Sequence, residues 1–417
     1  MAWLLSAWVW APVFSAGISA LALVMTVINL RVYRRAPALA SAPADSAATV
    51  DPPASADLPA PADSPAPAVA VCIPARNEEA NLAAVVQSAL ASTGVAVEVL
   101  VYDDESTDST PRILQDLVAA DPRVVAVAHQ RMPAGWNGKQ WGCQQMGHAA
   151  RAEWLLFTDA DVRLAPDCLA RSLAAAHQLR ADLLSTVPRQ ITGTLLERLV
   201  VPLIHWMLFS WLPMPRMRAT CDPATSAGCG QFLLVRRAAW QAAGGHAAFP
   251  SSMHDGIKLP RAVRKAGFHT DLFDGTSLVQ CRMYHSASQV WRGFAKNAYE
   301  GLGSPVVLLV FTLLEVAGTL LPWVWLPAAF LLPEVPEPVL WCAALAACMQ
   351  VAQRAMLATR FQQGALPVLL HPVSIALLVA IQWRSAWLHA TGQRAWKGRQ
   401  AGQSAPAPSA GTALPGP

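Results

Sequence analysis

The chain has 417 residues and a mass of 44.5 kDa, is 54% hydrophobic and only 14% charged, where an ordinary soluble domain carries roughly 25% charged residues. That deficit argues against a purely soluble protein, and a formal charge of +4 with a pI near 8.7 is too mild for a nucleic-acid binder. The 8 cysteines form no CxxC pair and no Cys/His zinc spacing, which argues against a structural metal or a disulfide scaffold and leaves reduced thiols as the expectation.

Residues 1–30 contain no charged side chain, and Arg31, Arg34 and Arg35 follow at once. At 1.5 Å per residue the run is long enough to cross about 30 Å of hydrocarbon. A cleaved signal peptide would place positive charge before a shorter apolar region, so the run is expected to be a retained anchor. The positive-inside rule then places residue 31 onward in the cytoplasm, with a multi-pass protein in the cell membrane. Residues 31–68 follow as a linker; from 36 onward they are nearly all Ala and Pro with four Asp, a composition that cannot bury a core.

From Val69 the pattern changes. Val69–Ile73, Val97–Tyr102, Val124–Ala128, Trp154–Thr158 and Leu183–Val187 read as strands, and residues 78–91, 108–120, 139–150 and 166–178 as helices. Pro111 and Pro166 fall near helix starts, where a missing N–H costs nothing. Strands alternating with helices at this spacing imply right-handed βαβ units and a mostly parallel, Rossmann-like sheet, with ligands at the carboxyl ends of its strands.

The acidic residues fall at those ends. The second strand runs into Asp103-Asp104-Glu105-Ser106-Thr107-Asp108. Helix capping accounts for Asp108 or Ser109. Adjacent Asp103 and Asp104 repel each other, which makes sense if they accept hydrogen bonds from a nucleoside or sit near a cation. The fourth strand ends in Thr158-Asp159-Ala160-Asp161; alternation aims Asp159 and Asp161 to one side, suited to a hard divalent ion that could clamp a diphosphate.

Val71-Cys72-Ile73-Pro74-Ala75-Arg76-Asn77-Glu78-Glu79, then Asp103 to Asp108, then Asp159-Ala160-Asp161 resemble, in order and spacing, the family 2 glycosyltransferases of GT-A fold. The resemblance covers about residues 69–300 and implies an inverting, metal-dependent transfer from a nucleotide-diphosphate sugar. It implies that Pro74, Arg76, Asn77, Glu78, Asp103 and Asp104 line the nucleotide site and that Asp161, with Asp159, holds Mg²⁺ or Mn²⁺ beside the diphosphate. Gly135-Trp136-Asn137-Gly138-Lys139 is similar to the segment preceding the acidic strand in such enzymes, making Lys139 a diphosphate contact; the alternative is a solvated lysine at a helix start. Asp255, in His254-Asp255-Gly256, stands where the family usually carries Glu-Asp and is assigned as the general base. His254 replaces the usual acid. Ala227 to Phe232 and Gly244-Gly245-His246 resemble acceptor-side turns.

Processive polymer synthases of this superfamily carry QxxRW. Here Gln289, Trp291 and Arg292 have the right types in the wrong spacing, so a single transfer is preferred over polymer extrusion, and the presence of Asp103, Asp104, Asp159, Asp161 and Asp255 argues against a catalytically silent scaffold. Arg282-Met283-Tyr284, the segment Trp291 to Phe294 and the arrangement of apolar segments look most like glycosyltransferases of carotenoid and hopanoid pathways. A lipid or isoprenoid acceptor is the implication.

The uncharged run Leu199–Pro215 is not read as a crossing, because one would put Asp161 and Asp255 on opposite sides of the membrane. With Pro202, Pro213 and flanking Arg198, Arg216 and Arg218, residues 195–218 are expected at the headgroup level. Beyond the domain, apolar stretches near 304–332, 338–353 and 361–383 provide two or three crossings within 304–389. Lys296, Arg354, Arg360 and Arg384 would all prefer the cytoplasm, so either the tail lies outside against the charge rule or one stretch is re-entrant or interfacial. Pro367 and Pro372 make the last stretch that candidate. Residues 390–417 read as a disordered tail. Nothing in the sequence speaks to oligomeric state or to the choice of sugar.

Overall fold

The computed structural model describes residues 2–38, 67–331, 335–393, 395–396 and 399–400. Most of the expected linker and the tail from residue 401 therefore lie outside the described residues. Helix α1 spans Ala2–Val32. Residues 33–37, assigned to the linker, are instead packed on the α/β domain: Tyr33 and Ala36 are buried, Asp274 N–H donates to Arg34 O at 2.8 Å, and Arg171 donates to the carbonyls of Ala36 and Pro37.

The domain's strands are β1 Val69–Ala75, β2 Val97–Asp103, β3 Val124–Ala126, β4 Trp154–Phe157, β5 Val162–Leu164, β6 Leu183–Ser185, β7 Arg189–Gln190, β8 Leu233–Arg236, β9 Thr270–Leu272 and β10 Val279–Cys281. Seven form one sheet in the order β3-β2-β1-β4-β8-β6-β9. All neighbours are parallel except β8, which runs antiparallel to β4 and β6. This is the Rossmann-like, mostly parallel α/β sheet expected of a GT-A domain. β1 is buried along its whole length because helices cover both faces. A small second sheet, β5-β10-β7, stands at the carboxyl end of β4.

The helices of the first half are α2 Leu82–Leu90, α3 Thr110–Ala120, α4 Gly138–Ala149 and α5 Cys168–Leu179, within a few residues of the expected spans. They are followed by α6 Leu195–Val200, α7 Leu203–Trp211, α8 Met214–Ala219, α9 Arg237–Ala242, α10 Asp255–Lys265, α11 Ala287–Ala295 and α12 Ala298–Leu302. All eight cysteines are free.

Beyond residue 304 the chain forms α13 Pro305–Leu313, a π-helical turn Leu314–Leu320, α14 Leu321–Leu331, α15 Glu337–Phe361, α16 Leu366–Leu369 and α17 His371–Ala390. Among the described residues three helical stretches are long and apolar enough to cross a membrane: Trp10–Val32, Pro305–Ala328 and Glu337–Phe361. The π turn interrupts the second of these. It frees backbone carbonyls that hydrocarbon would leave unpaired. Ser15 accordingly donates to Ala317 O, while Ser19 and Gln350 donate to Gly318 O at 3.2 and 3.1 Å.

The run around α7 lies between domain and helices, as its burial pattern requires. Leu203, Trp206 and Phe209 pack with Tyr33, Leu357, Phe361 and Ile375 in one apolar cluster. Asn29 of α1 fixes its exit, donating to the carbonyls of Phe209 and Leu212 at 2.9 and 2.8 Å and accepting from Met214 N–H at 3.2 Å.

Candidate active site at the carboxyl ends of the strands

The loops after β1 and β2 are laced together. Asn77 adopts a left-handed backbone at φ 51°, accepts from Thr107 N–H at 2.8 Å, and its own N–H donates to Ser106 Oγ at 2.9 Å. Asn tolerates that conformation better than most residues because its short amide bonds locally. Glu78 N–H donates to Thr110 Oγ1 and Glu79 N–H to Asp108 Oδ2, at 2.8 and 3.1 Å. Pro74, the last but one residue of β1, is in register with Tyr102.

Asp103 and Asp104 do not face one another as free carboxylates. Asp104 is buried, its N–H donates to Ala75 O at 2.8 Å, and Arg76 Nη1 lies 3.4 Å from its Oδ2. Asp103 accepts from Ser106 and lines an open, largely apolar groove of about 400 Å³ with Pro111, Leu114 and Ala126. The like-charge repulsion expected from sequence is thus relieved by an arginine on one side and a hydroxyl on the other.

The second half of the site is built by three segments that meet. Thr158 anchors the end of β4, donating through its hydroxyl to Gln231 O at 2.8 Å. Asn137 caps α4, accepting from Gln140 N–H at 2.9 Å, and ties that helix to the loop before α10 by donating to Ser252 O. Glu300 of α12 accepts from the Ser252 hydroxyl and from Met253 N–H at 3.1 Å, holding the same loop from the other side. The result places Lys139 Nζ 2.7 Å from Asp159 and 2.8 Å from Asp255.

This cluster is electrostatically tense. Burial alone would raise the Asp255 carboxyl, but the Lys139 ammonium beside it, with His246 and His254 nearby, holds it below the ordinary range. Burial opposes the Lys139 charge as well, and Asp159 and Asp255 together more than restore it. Asp161 is relieved less: burial first, then the charges of Asp159 and Glu78, push its carboxyl up to about 7 against the smaller opposing effects of Cys281 and Lys139. Its Oδ1 is buried without a hydrogen-bond partner. A carboxylate oxygen left dry beside a second carboxylate fits a hard divalent cation. Among the described residues no group of three or more His, Cys, Asp or Glu side chains is placed to hold a metal. Asp161 and Asp159 would therefore be the protein's share, with water and phosphate oxygens completing the shell, as Mg²⁺ usually prefers.

The structure thus brings Lys139, Asp159, Asp161 and Asp255 to one place, with Arg76, Asn77, Glu78, Asp103 and Asp104 on the neighbouring strand ends. Sequence reading missed Glu300. Its signal is weak, one acid in a short helix just before the membrane stretch. His254 lies against Gly301, where an added Cβ would come within 3.2 Å of its Nε2. Gln289 is spent locally, capping α11 by accepting from His285 N–H at 2.7 Å.

Residues 70–242 match the model of glycosyl transferase family 2. The chain is 25% identical over 257 residues to a 4,4'-diaponeurosporenoate glycosyltransferase of Staphylococcus haemolyticus, covering 59% of this chain and 65% of that protein. It is 27% identical over 244 residues to the protein of that name from Staphylococcus aureus strain USA300, covering 57% and 62%. Its match thus spans less than two thirds of either relative. Among solved structures, a mannosyltransferase from Pyrobaculum calidifontis in complex with GDP-mannose and Mn²⁺ aligns over 78% of this chain and 88% of that one, at 19% identity and a TM-score of 0.49.

Proposed function

We propose that this chain, a protein with a family 2 glycosyltransferase domain between helices apolar enough to enter a membrane, moves one sugar from a nucleotide-diphosphate donor to a lipid or isoprenoid acceptor. The observation that carries the reading is the Lys139–Asp159–Asp255 cluster with the dry carboxyl of Asp161 beside it. These residues lie where strands of a parallel sheet end, the usual place for a nucleotide ligand.

In this reading Asp103 and the apolar groove beside it receive the nucleoside, and Pro74, Arg76, Asn77, Glu78 and Asp104 form the frame that positions it. Mg²⁺ or Mn²⁺, held by Asp161 and Asp159, would neutralise charge on the departing diphosphate. Asp255 takes the proton of an acceptor hydroxyl as that oxygen forms its bond to the anomeric carbon from the face opposite the diphosphate, so configuration inverts. The bond from that carbon to the phosphate oxygen breaks, and its electron pair leaves with the nucleoside diphosphate. Lys139 links the two halves: an incoming diphosphate competes for its ammonium, and as Lys139 turns toward the phosphate, Asp255 loses its counter-ion and becomes a stronger base.

The acceptor class rests on the curated relatives, which are named for a carotenoid-type substrate, and on α7, which joins the domain to the apolar helices. The cytoplasmic placement rests on Arg31 in the last turn of α1 and Arg34 and Arg35 just beyond it.

The test is turnover of several sugar nucleotides by protein purified in detergent, with total lipid extract as acceptor, with and without divalent metal. Metal-dependent label in one discrete extractable lipid is the expected result. Label in insoluble high-mass product would overturn single transfer in favour of polymer synthesis, and donor binding without turnover in any extract would favour a silent scaffold.

A further inference from the structure

Arg354 lies in α15 and is completely buried. None of its three guanidinium nitrogens meets a hydrogen-bond partner among the described residues. Six residues on, Arg360 pairs with Asp274 at 2.5 Å, so the fold supplies a counter-ion to one arginine of this helix and none to the other. The immediate neighbour is also satisfied: Gln353 donates to Ala22 O, Thr26 and Ser210 and accepts from Trp206 Nε1 at 3.1 Å.

Two buried histidines stand on helices packed against α15, His205 on α7 and His371 on α17. His371, at the start of α17, is fully buried with both ring nitrogens unpaired. Its ring meets Trp206 edge-on at 5.5 Å. His205 of α7 is buried with Nε2 unpaired and stacks on Phe361 at 3.9 Å. The N-terminus of α17 has no side-chain cap and adds the positive end of a 20-residue helix. The unpaired acceptor nearby, Gln363 Oε1, belongs to the amide that contacts His205 Nδ1 at 3.1 Å. Glu315, the buried acid of the apolar helices, is bound by Gln382 at 2.9 Å, eleven residues or about 16 Å along α17 from His371.

A fully buried cation whose nitrogens meet no acceptor among the described residues is satisfied by an acceptor from outside the chain. We propose that Arg354, His371 and His205, with the start of α17, form an oxyanion-binding site that takes a phosphate or carboxylate group. The site is separate from the Asp159–Asp255 cluster and does not depend on the reaction assigned to it. Its depth favours a lipid as carrier: Arg354 is seven residues, about 10 Å, short of the end of α15 at Phe361, where Arg360 already touches the catalytic domain. An ionisable side chain at that level marks a ligand or pathway by default.

The experiment uses the full chain in neutral detergent, reading thermal unfolding with dioleoyl phosphatidylglycerol, sodium oleate, dioleoyl phosphatidylcholine or inorganic phosphate added, and native mass spectra of the retained lipid. A rise of about 3 °C or more with an anionic amphiphile, and none with phosphatidylcholine, is expected for wild type. R354Q should abolish the response and H371Q should weaken it. A response to inorganic phosphate equal to that of phosphatidylglycerol would assign the site to a soluble anion, and a response confined to the amphiphiles would assign it to a lipid. Equal response to phosphatidylcholine and phosphatidylglycerol, or an undiminished anionic response in both variants, would overturn the proposal. If R354Q does not fold, H371Q and the lipid selectivity of wild type decide.

Discussion

Lys139 Nζ lies 2.8 Å from Asp255 Oδ2, which joins the residue expected to touch the donor diphosphate directly to the residue expected to activate the acceptor. The ammonium keeps the Asp255 carboxyl ionised despite burial. Lys139→Gln removes that support, so the acid limb of the pH profile of kcat/KM should move upward toward neutral pH, with activity at pH 7 falling about 100-fold or more. A profile of unchanged shape, merely scaled down, would mean that Lys139 acts on the donor alone.

Asp255→Asn separates the two halves of the site. Transfer should fall by about 10²- to 10⁴-fold, the usual worth of a general base, while nucleotide-sugar affinity by calorimetry stays within a few-fold. Equal loss of donor binding would remove Asp255 from the base role.

Asp161 is the carboxyl with the dry oxygen. Asp161→Asn should weaken Mn²⁺ binding, followed by electron paramagnetic resonance of the free ion, by at least about tenfold, and activity should fall with it. Mn²⁺ affinity equal to wild type would place the cation elsewhere.

Gly230 sits against the base. A Cβ there would overlap Asp255 Oδ1, and the same loop presses on Gly256. Gly230→Ala should therefore displace the carboxylate and cost about 10²-fold in kcat, because small misplacements of reacting groups are expensive. Circular dichroism should show the fold retained.

His246 gives a stability signature. It is fully buried, accepts from Trp240 Nε1 at 3.1 Å, and burial pulls its pKa down to about 3 from 6.5. The unfolded chain thus binds a proton that the folded chain refuses between those values. Its contribution to stability is present above pH 6.5 and is lost as pH falls from there toward 3, by at most about 1.4 kcal/mol per pH unit. His246→Gln, which retains an acceptor for Trp240, should flatten that part of the stability curve measured by denaturant unfolding.

Much of this protein was legible before its structure. The alternation of short apolar strands with helices determined the parallel half of the sheet, because strands buried on both faces must be continuously apolar. The strand-end acids Asp103, Asp104, Asp159 and Asp161 were visible for the same reason, as charge has nowhere else to go in such a pattern. The second half was harder. β8 to β10 are three or four residues long, too short for periodicity, and β8 enters antiparallel between β4 and β6.

The sequence by itself determined which acids stand at the strand ends and where apolar stretches lie on either side of the domain. Only the tertiary structure decided the pairings: that Arg76 quiets Asp104, that Lys139 meets both Asp159 and Asp255, that one oxygen of Asp161 is buried without a partner, and that the Arg354 nitrogens are buried without one among the described residues. A charge's partner and its hydration depend on which distant segments meet around it, and local spacing along the chain carries no record of either.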